Sequence, residues 1–316
     1  MATSDSGSAP RRCRYAATNE QGKDGGGDGG SGRDGGDGAG CRQCLTYAEY
    51  GDPDGDPVLF LHGTPGSRRL GALFDADARE RGVRLLAPDR PGFGRSAPWP
   101  TRSVSDAGTF LTAVLDDAGV GAAPVVAFSG GAAQALATAA THPGRVSRVD
   151  CVAGATPPGV AERTPPVQRA LARAATTAPA VLRALLRGQS WLAARRDPSF
   201  VVGQYTASDR DAPVPDDAAS AVKTDFLEAL AESRSGTVTE LRNAASEWGI
   251  ALDEIGVDVR LWHGDADTNV PVDGVRRLAS TLPAAELHVV DGADHLGTLL
   301  SATPDVLDGV GEHRPD

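Results

Sequence analysis

Chemistry is written most plainly at Ser129. The stretch PVVAFSGGAAQALATAATH (124–142) runs strand-forming residues up to that serine, and a helix-like pattern begins after two glycines. A serine on a sharp strand-to-helix turn is the geometry of an exposed nucleophile. Such a turn strains the backbone, so the residues two before, and two and three after, must be small. Here they are Ala127, Gly131 and Ala132. The G-x-S-x-G pattern therefore stands as A-F-S-G-G, with Ala replacing the first Gly. The helix behind it aims its N-terminal N–H groups at the serine, which favours negative charge there. The same letters also fit an ordinary helix N-cap with permissive glycines, so partners elsewhere must decide.

A serine hydroxyl needs a base to take its proton, and the base needs a third group to hold its tautomer. His62, His142, His263 and His288 fall in strands or at strand and helix ends, and His313 is in the polar C-terminal tail. His295, in VDGADHLG, is expected in a loop after the last strand, where a side chain can reach over a sheet edge. The acid is sought in HGDADTNVP (263–271), which offers Asp265 and Asp267; Asp267 is favoured because it lies further into the loop. His263 with these two acids imitates a metal cluster, but residues at a strand end point apart, and no metal is expected.

LFLHGTPGS (59–67) supplies what acyl transfer also requires, an open turn whose backbone can face a tetrahedral oxyanion. The N–H groups of Thr64 and Gly130 are the expected oxyanion donors, each contributing on the order of 3 kcal/mol. A tight strand-to-helix turn alone also explains these Gly and Pro residues.

The elements that must position these residues follow from hydropathy patterning. Strands are expected over 45–51, 57–63, 83–89, 124–129, 146–154, 257–264 and 286–292, mostly as continuous apolar runs of the kind buried on both sheet faces. Helices are expected over 70–81, 104–118, 132–141 and 275–281, with Phe110, Leu111, Val114 and Leu115 at helical spacing. Alternation of this kind predicts an α/β, doubly wound, mostly parallel sheet. It breaks between about Thr156 and Ile255, where only helix-like pieces occur, so residues 156–255 are expected to form a helical cap inserted into a core of 45–155 and 256–316. Ligands bind at the carboxyl edge of such sheets.

Residues 1–44 read as a disordered tail, because ten of the sixteen residues from Gly25 to Gly40 are glycine and the rest are mostly Asp with Ser, Arg and Ala. Truncation to Leu45 is expected to leave fold and activity unchanged. The pair in CRQC (41–44) has the spacing of half a zinc site or a redox couple, but no nearby His completes a tetrahedral set. A net charge of −11 with no basic stripe argues against nucleic acid. No apolar run approaches the roughly 18 residues of a membrane span, so no membrane partner and a cytoplasmic location are expected.

HGTPGS, PDRPGFGRS (88–96), the serine turn, GDADTNVP and GADHLG together resemble the α/β-hydrolase superfamily, in its order and approximate spacing, over about residues 45–316. The departures are Ala127 for Gly, and Asp294 before the histidine where the family often has Gly. The resemblance implies a Ser129–Asp267–His295 triad, no cofactor, and a small-molecule substrate. GFGRSA (92–97) fits a dinucleotide fingerprint, but Pro98 and Pro100 block the helix that would hold the pyrophosphate, so no NAD site is expected. The reaction implied is cleavage of a small carboxylic ester through an acyl-enzyme. A proline iminopeptidase-like peptidase, with Glu228, Glu232 or Glu240 holding the substrate amine, remains an alternative, as do an acyltransferase, a cofactor-free lyase and a non-catalytic ligand-binding member.

Overall fold

The apolar runs form the inner strands of one sheet. The computed structural model describes residues 11–14, 44–160, 164–207, 213–308 and 310. Among them lie eight strands: β1 (Arg11–Arg14), β2 (Cys44–Gly51), β3 (Asp56–Leu61), β4 (Val83–Pro88), β5 (Ala123–Phe128), β6 (Val146–Val152), β7 (Asp258–Gly264) and β8 (Ala285–Val290). Their order is β1-β2-β4-β3-β5-β6-β7-β8. β1–β2 and β2–β4 are antiparallel; every other neighbouring pair is parallel. Each strand expected from the sequence is present within two residues of its expected ends.

Period-two alternation divides the strands between two cores. Leu59, Leu61, Val125 and Ala127 face one side, with Phe110 and Leu111 of α2 (Ala107–Asp117), Leu136 of α3 (Gly131–Thr141) and Val275 of α9 (Val272–Thr281). Val58, Phe60, Val126 and Phe128 face the other, with Ala78 of α1 (Asp75–Glu80) and Leu299 of α10 (His295–Leu307). Helices on both faces make the sheet doubly wound. In place of one helix over 70–81, a 3₁₀ segment (Arg68–Phe74) precedes α1. It brings Gly71 so close to Tyr50 that an added Cβ would sit 2.7 Å from the ring.

Between β6 and β7 the chain forms α4 (Pro166–Thr177), α5 (Pro179–Ala193), α6 (Ser199–Val202), α7 (Asp216–Ala229) and α8 (Ser235–Asn243), with no strand among the described residues. Ala175, Leu182, Leu186 and Val238 make a small core of their own, whereas Val222 and Phe226 of α7 join a core of the main sheet. The insertion is thus rooted in the sheet's own packing. Of the large insertion aromatics, Phe226 is buried, but Trp191 and Phe200 are solvent-exposed.

The N-terminal expectation needs correction. Arg11–Arg14, expected within a disordered tail, pair with β2 in the register Arg11↔Tyr47 and Cys13↔Leu45. The cause is local: Cys13 is buried in the core, and Arg11 forms an ion pair with Glu49 at 2.9 Å. Cys44, placed at the end of that tail, opens β2 and is disulfide-bonded. Cys41 and the glycine-rich stretch lie outside the described residues. Among the described residues no helix is long and apolar enough to cross a membrane.

Candidate active site

The turn between β5 and α3 holds Ser129 at φ +52°, a left-handed conformation that a non-glycine residue rarely adopts. Three backbone bonds fix it: Ser129 N–H donates to Val152 O at 3.0 Å, and Ser129 O accepts from Ala155 N–H at 3.0 Å and Ala132 N–H at 3.1 Å. The demand for small neighbours is met as the sequence predicted. A Cβ on Gly131 would lie 2.7 Å from Leu61 O and 2.8 Å from His62 O, both backbone atoms that cannot yield.

Asp267 and His295 meet over the same edge. His295 Nδ1–H donates to Asp267 Oδ2 at 2.7 Å, with both residues buried. Asp267 Oδ1 accepts from the N–H groups of Asn269 (2.8 Å) and Val270 (2.9 Å). Burial opposes ionisation of Asp267, but the bond from His295 and the Val270 N–H outweigh it and hold the carboxyl below its ordinary range. The Nδ1–H tautomer leaves Nε2 of His295 as the accepting nitrogen. The imidazole is flanked by Phe128, 4.9 Å between ring centres, and by Tyr205 of the insertion, stacked at 6.3 Å and 12°. Ser129 Oγ has no hydrogen-bond partner among the described residues, so the serine–histidine link is the one connection not made. Such links often tighten only when substrate binds.

His295 is the first residue of α10, rather than a loop residue. Asp294 is the helix N-cap: it accepts from Gly297 N–H at 2.7 Å and from Ala207 N–H at 3.1 Å, so its carboxylate is occupied by capping. Asp265 binds Gly292 N–H at 2.7 Å and takes no part in the pair. His263, read at a strand end and weighed there against a metal cluster, lies behind the pair. Its Nε2–H donates to Val270 O at 2.8 Å and sits 3.5 Å from Asp267 Oδ2, while burial depresses its pKa and keeps it neutral.

Thr64 and Gly130 are in direct contact: a Cβ on Gly130 would fall 2.4 Å from Thr64 Oγ1 and 3.5 Å from Thr64 N. A Cβ on Gly63 would lie 3.3 Å from Ser129 Cβ. The N–H groups of Thr64 and Gly130 donate to nothing among the described residues. Two free donors therefore flank the serine.

This loop is gripped by a charge cluster that sequence reading missed. Glu240 of α8 accepts from Thr64 Oγ1, from Arg90 Nε at 2.8 Å and Nη2 at 2.7 Å, and from Arg102 Nη2 at 2.9 Å. Arg90 also donates to His62 O and, at 3.0 Å, to Gly63 O. Burial would raise Glu240, but the two arginines overcome it and hold the carboxyl at about 2. At the far end of the loop, Asp225 of α7 accepts from Ser67 N–H at 2.6 Å and Ser67 Oγ at 2.8 Å. The signal available was the pair Asp89–Arg90, two charges placed directly after the buried strand β4.

The profile of the α/β hydrolase fold family matches residues 56–302, and the chain belongs to that family. Proline iminopeptidase of Neisseria meningitidis is 36% identical over 108 residues, which is 32% of this chain and 34% of that enzyme. The chain thus matches about a third of the length of that relative. Among solved structures, a thermophilic esterase from Thermogutta terrifontis superposes with a TM-score of 0.65 at 18% identity, covering 96% of this chain and 97% of that one. Bromoperoxidase from Bacillus anthracis gives 0.64 at 21% identity, with 83% and 92% covered. At these identities the two structures speak to the fold alone.

Proposed function

We propose that this chain is a serine hydrolase cleaving a small carboxylic ester, with Ser129 as nucleophile, His295 as base and Asp267 as its orienting acid. Ser129 Oγ attacks the carbonyl carbon while its proton passes to His295 Nε2. The tetrahedral oxyanion is held by the N–H groups of Thr64 and Gly130. Collapse expels the alcohol, which takes the proton from Nε2, and leaves an acyl-Ser129. Water, deprotonated by the same nitrogen, then releases the acid. The insertion serves as a cap that sets which acyl group enters. The observation that carries this reading is the buried 2.7 Å Asp267–His295 bond beside a serine held at positive φ.

The peptidase alternative needs an acid free to hold a substrate amine. Glu240 is occupied by Arg90 and Arg102, and Glu228 by Arg68 at 2.6 Å; Glu232 is exposed. That weighs against transferring the proline iminopeptidase activity of the Neisseria relatives. Dehalogenation of the kind that uses an Asp nucleophile is disfavoured by Ser at position 129.

A fluorophosphonate probe tests the proposal without the true substrate. Labelling is expected at Ser129, located by peptide mass, and should fall sharply in His295→Ala. A folded protein that resists the probe and also leaves p-nitrophenyl acetate intact would favour the ligand-binding reading.

A further inference from the structure

We propose that the exposed face of α4 and α5 docks peripherally on an anionic lipid bilayer. The chain carries a net charge of −11, yet residues 164–196 contain six arginines (Arg169, Arg173, Arg183, Arg187, Arg195, Arg196) and no acid. All six are exposed, and none forms an ion pair among the described residues. The same two helices carry four of the exposed large apolar side chains: Val167 at 70%, Val181 at 58%, Leu185 at 62% and Trp191 at 58%. Along α5 the pattern is helical. Leu182, Leu186 and Ala193 turn inward, while Val181, Ala184, Leu185, Gly188 and Trp191 fall on the outer side at spacings of three and four.

That combination selects its partner. Exposed apolar residues concentrated on two helices that share a small core mark a contact surface. Guanidinium groups bind phosphate oxygens in bidentate fashion, and their stems lie along apolar surface while the heads stay wet. A tryptophan prefers the headgroup level, and a helix with basic and apolar sides lies in the plane of the interface. An acidic protein surface would answer the arginines and leave the apolar side chains bare. A second copy would have to meet this basic face with its acidic body, because two such faces opposed to each other would set arginines against arginines. The chain's negative charge elsewhere is screened beyond about 10 Å at about 0.1 M salt. The absence of a spanning helix bears on insertion through a membrane, not on contact with its surface.

The face is linked to the candidate site. Gln168 of α4 donates to Asn269 O, two residues from Asp267. Gln189 of α5 donates to Gln204 Oε1 at 2.7 Å, and Gln204 precedes Tyr205, which stacks on His295. Docking would bring the site beside bilayer-dissolved esters. That consequence rests on the hydrolase reading; the docking itself does not.

Co-sedimentation of the full chain with extruded vesicles tests the proposal independently of catalysis. Binding is expected to vesicles of equal phosphatidylglycerol and phosphatidylcholine and not to phosphatidylcholine alone, and it should weaken as salt rises. Arg183→Glu with Arg187→Glu should weaken it about tenfold or more, since each basic residue near such a surface contributes to attraction. Trp191→Ala with Leu185→Ser should also weaken it about fivefold or more, through lost apolar burial. These positions are exposed, and melting curves check the fold; Arg169→Glu with Arg173→Glu provides a second pair. No binding by folded wild-type protein, or binding that both sets leave unchanged, would overturn the proposal. Self-association without lipid that the Arg183/Arg187 pair abolishes would assign the face to a second copy instead, and also overturn it.

Discussion

Gly130 has ordinary helical dihedrals, φ −59° and ψ −18°, so its backbone would accept alanine. The obstacle is Thr64, whose hydroxyl would lie 2.4 Å from the new Cβ and which Glu240 and Arg90 hold in place. Gly130→Ala is expected to push the Thr64 N–H away from the oxyanion position. Loss of one such donor costs about 100-fold in kcat, so a displaced one should cost at least about tenfold, with KM and Tm nearly unchanged. Steady-state kinetics on an activated ester check this, and an unaltered kcat would remove Thr64 from the oxyanion role. Asp267→Asn should leave the fold intact and lower kcat by about 10⁴-fold, because the histidine then takes the wrong tautomer. At this scale the sequence was readable where chemistry is local. The small residues around Ser129 follow from sterics, and Asp267 was separated from Asp265 by its depth in the loop. Arg90, Arg102 and Glu240 were not readable as a group, since their roles arise from contacts between residues 138 to 150 positions apart.

The loop that bears Thr64 is held between two helices of the insertion, Glu240 on α8 at Thr64 and Asp225 on α7 at Ser67. Glu240→Gln keeps the shape but leaves two buried arginines short of a negative charge, a change that costs about 3–5 kcal/mol. Tm should fall, and kcat should fall about tenfold with a smaller change in KM, since a loosened loop mis-aims its donor. A Tm loss with kcat intact would make Glu240 purely structural. Asp225 gives a pH signature. Burial raises its carboxyl to about 7 despite the bonds from Ser67. A carboxyl raised on folding binds more protons in the folded state, so its contribution is intact below about pH 4 and is lost as pH climbs towards 7. Asp225→Asn keeps an acceptor for Ser67 and cannot ionise, so its Tm should gain on the wild type from pH 4.5 to 7.5 and level off above. Thermal melts across that range decide it; a difference flat with pH would refute the raised value. The inner strands β3, β4, β5 and β6 were legible because both their faces are buried. The first turn of α10 was not: VDGADHLG reads as a loop, and Asp294 becomes a helix cap only once Gly297 and Ala207 N–H groups converge on it.

Across the whole molecule, composition indicated class and charge but concealed how both are distributed. The net charge of −11 hides an arginine-only stretch on the insertion, and the glycine-rich N-terminal region hides a strand ahead of it. β1 covers the outer edge of β2, where unpaired N–H and C=O groups would otherwise invite other chains. It also buries Cys13, whose thiol burial pushes up to about 12, so this sulfur is an inert packing group rather than a nucleophile. Deleting residues 1–14 removes this strand while keeping Cys44 and everything that builds the site. The shorter chain should melt about 3–8 °C lower, from a loss of about 1–3 kcal/mol in a domain of this size. It should aggregate sooner on heating through the bared β2 edge. The site lies on loops after β3, β5, β7 and β8, so kcat at 25 °C should stay within about twofold of the full chain, because distant sites contribute nearly independently. Scanning calorimetry and ester kinetics on the same preparation separate the two effects. An unchanged Tm would mean that the β1–β2 pairing adds nothing to stability. A large loss of kcat with Tm preserved would show that the edge of the sheet and the loop bearing Ser129 are coupled.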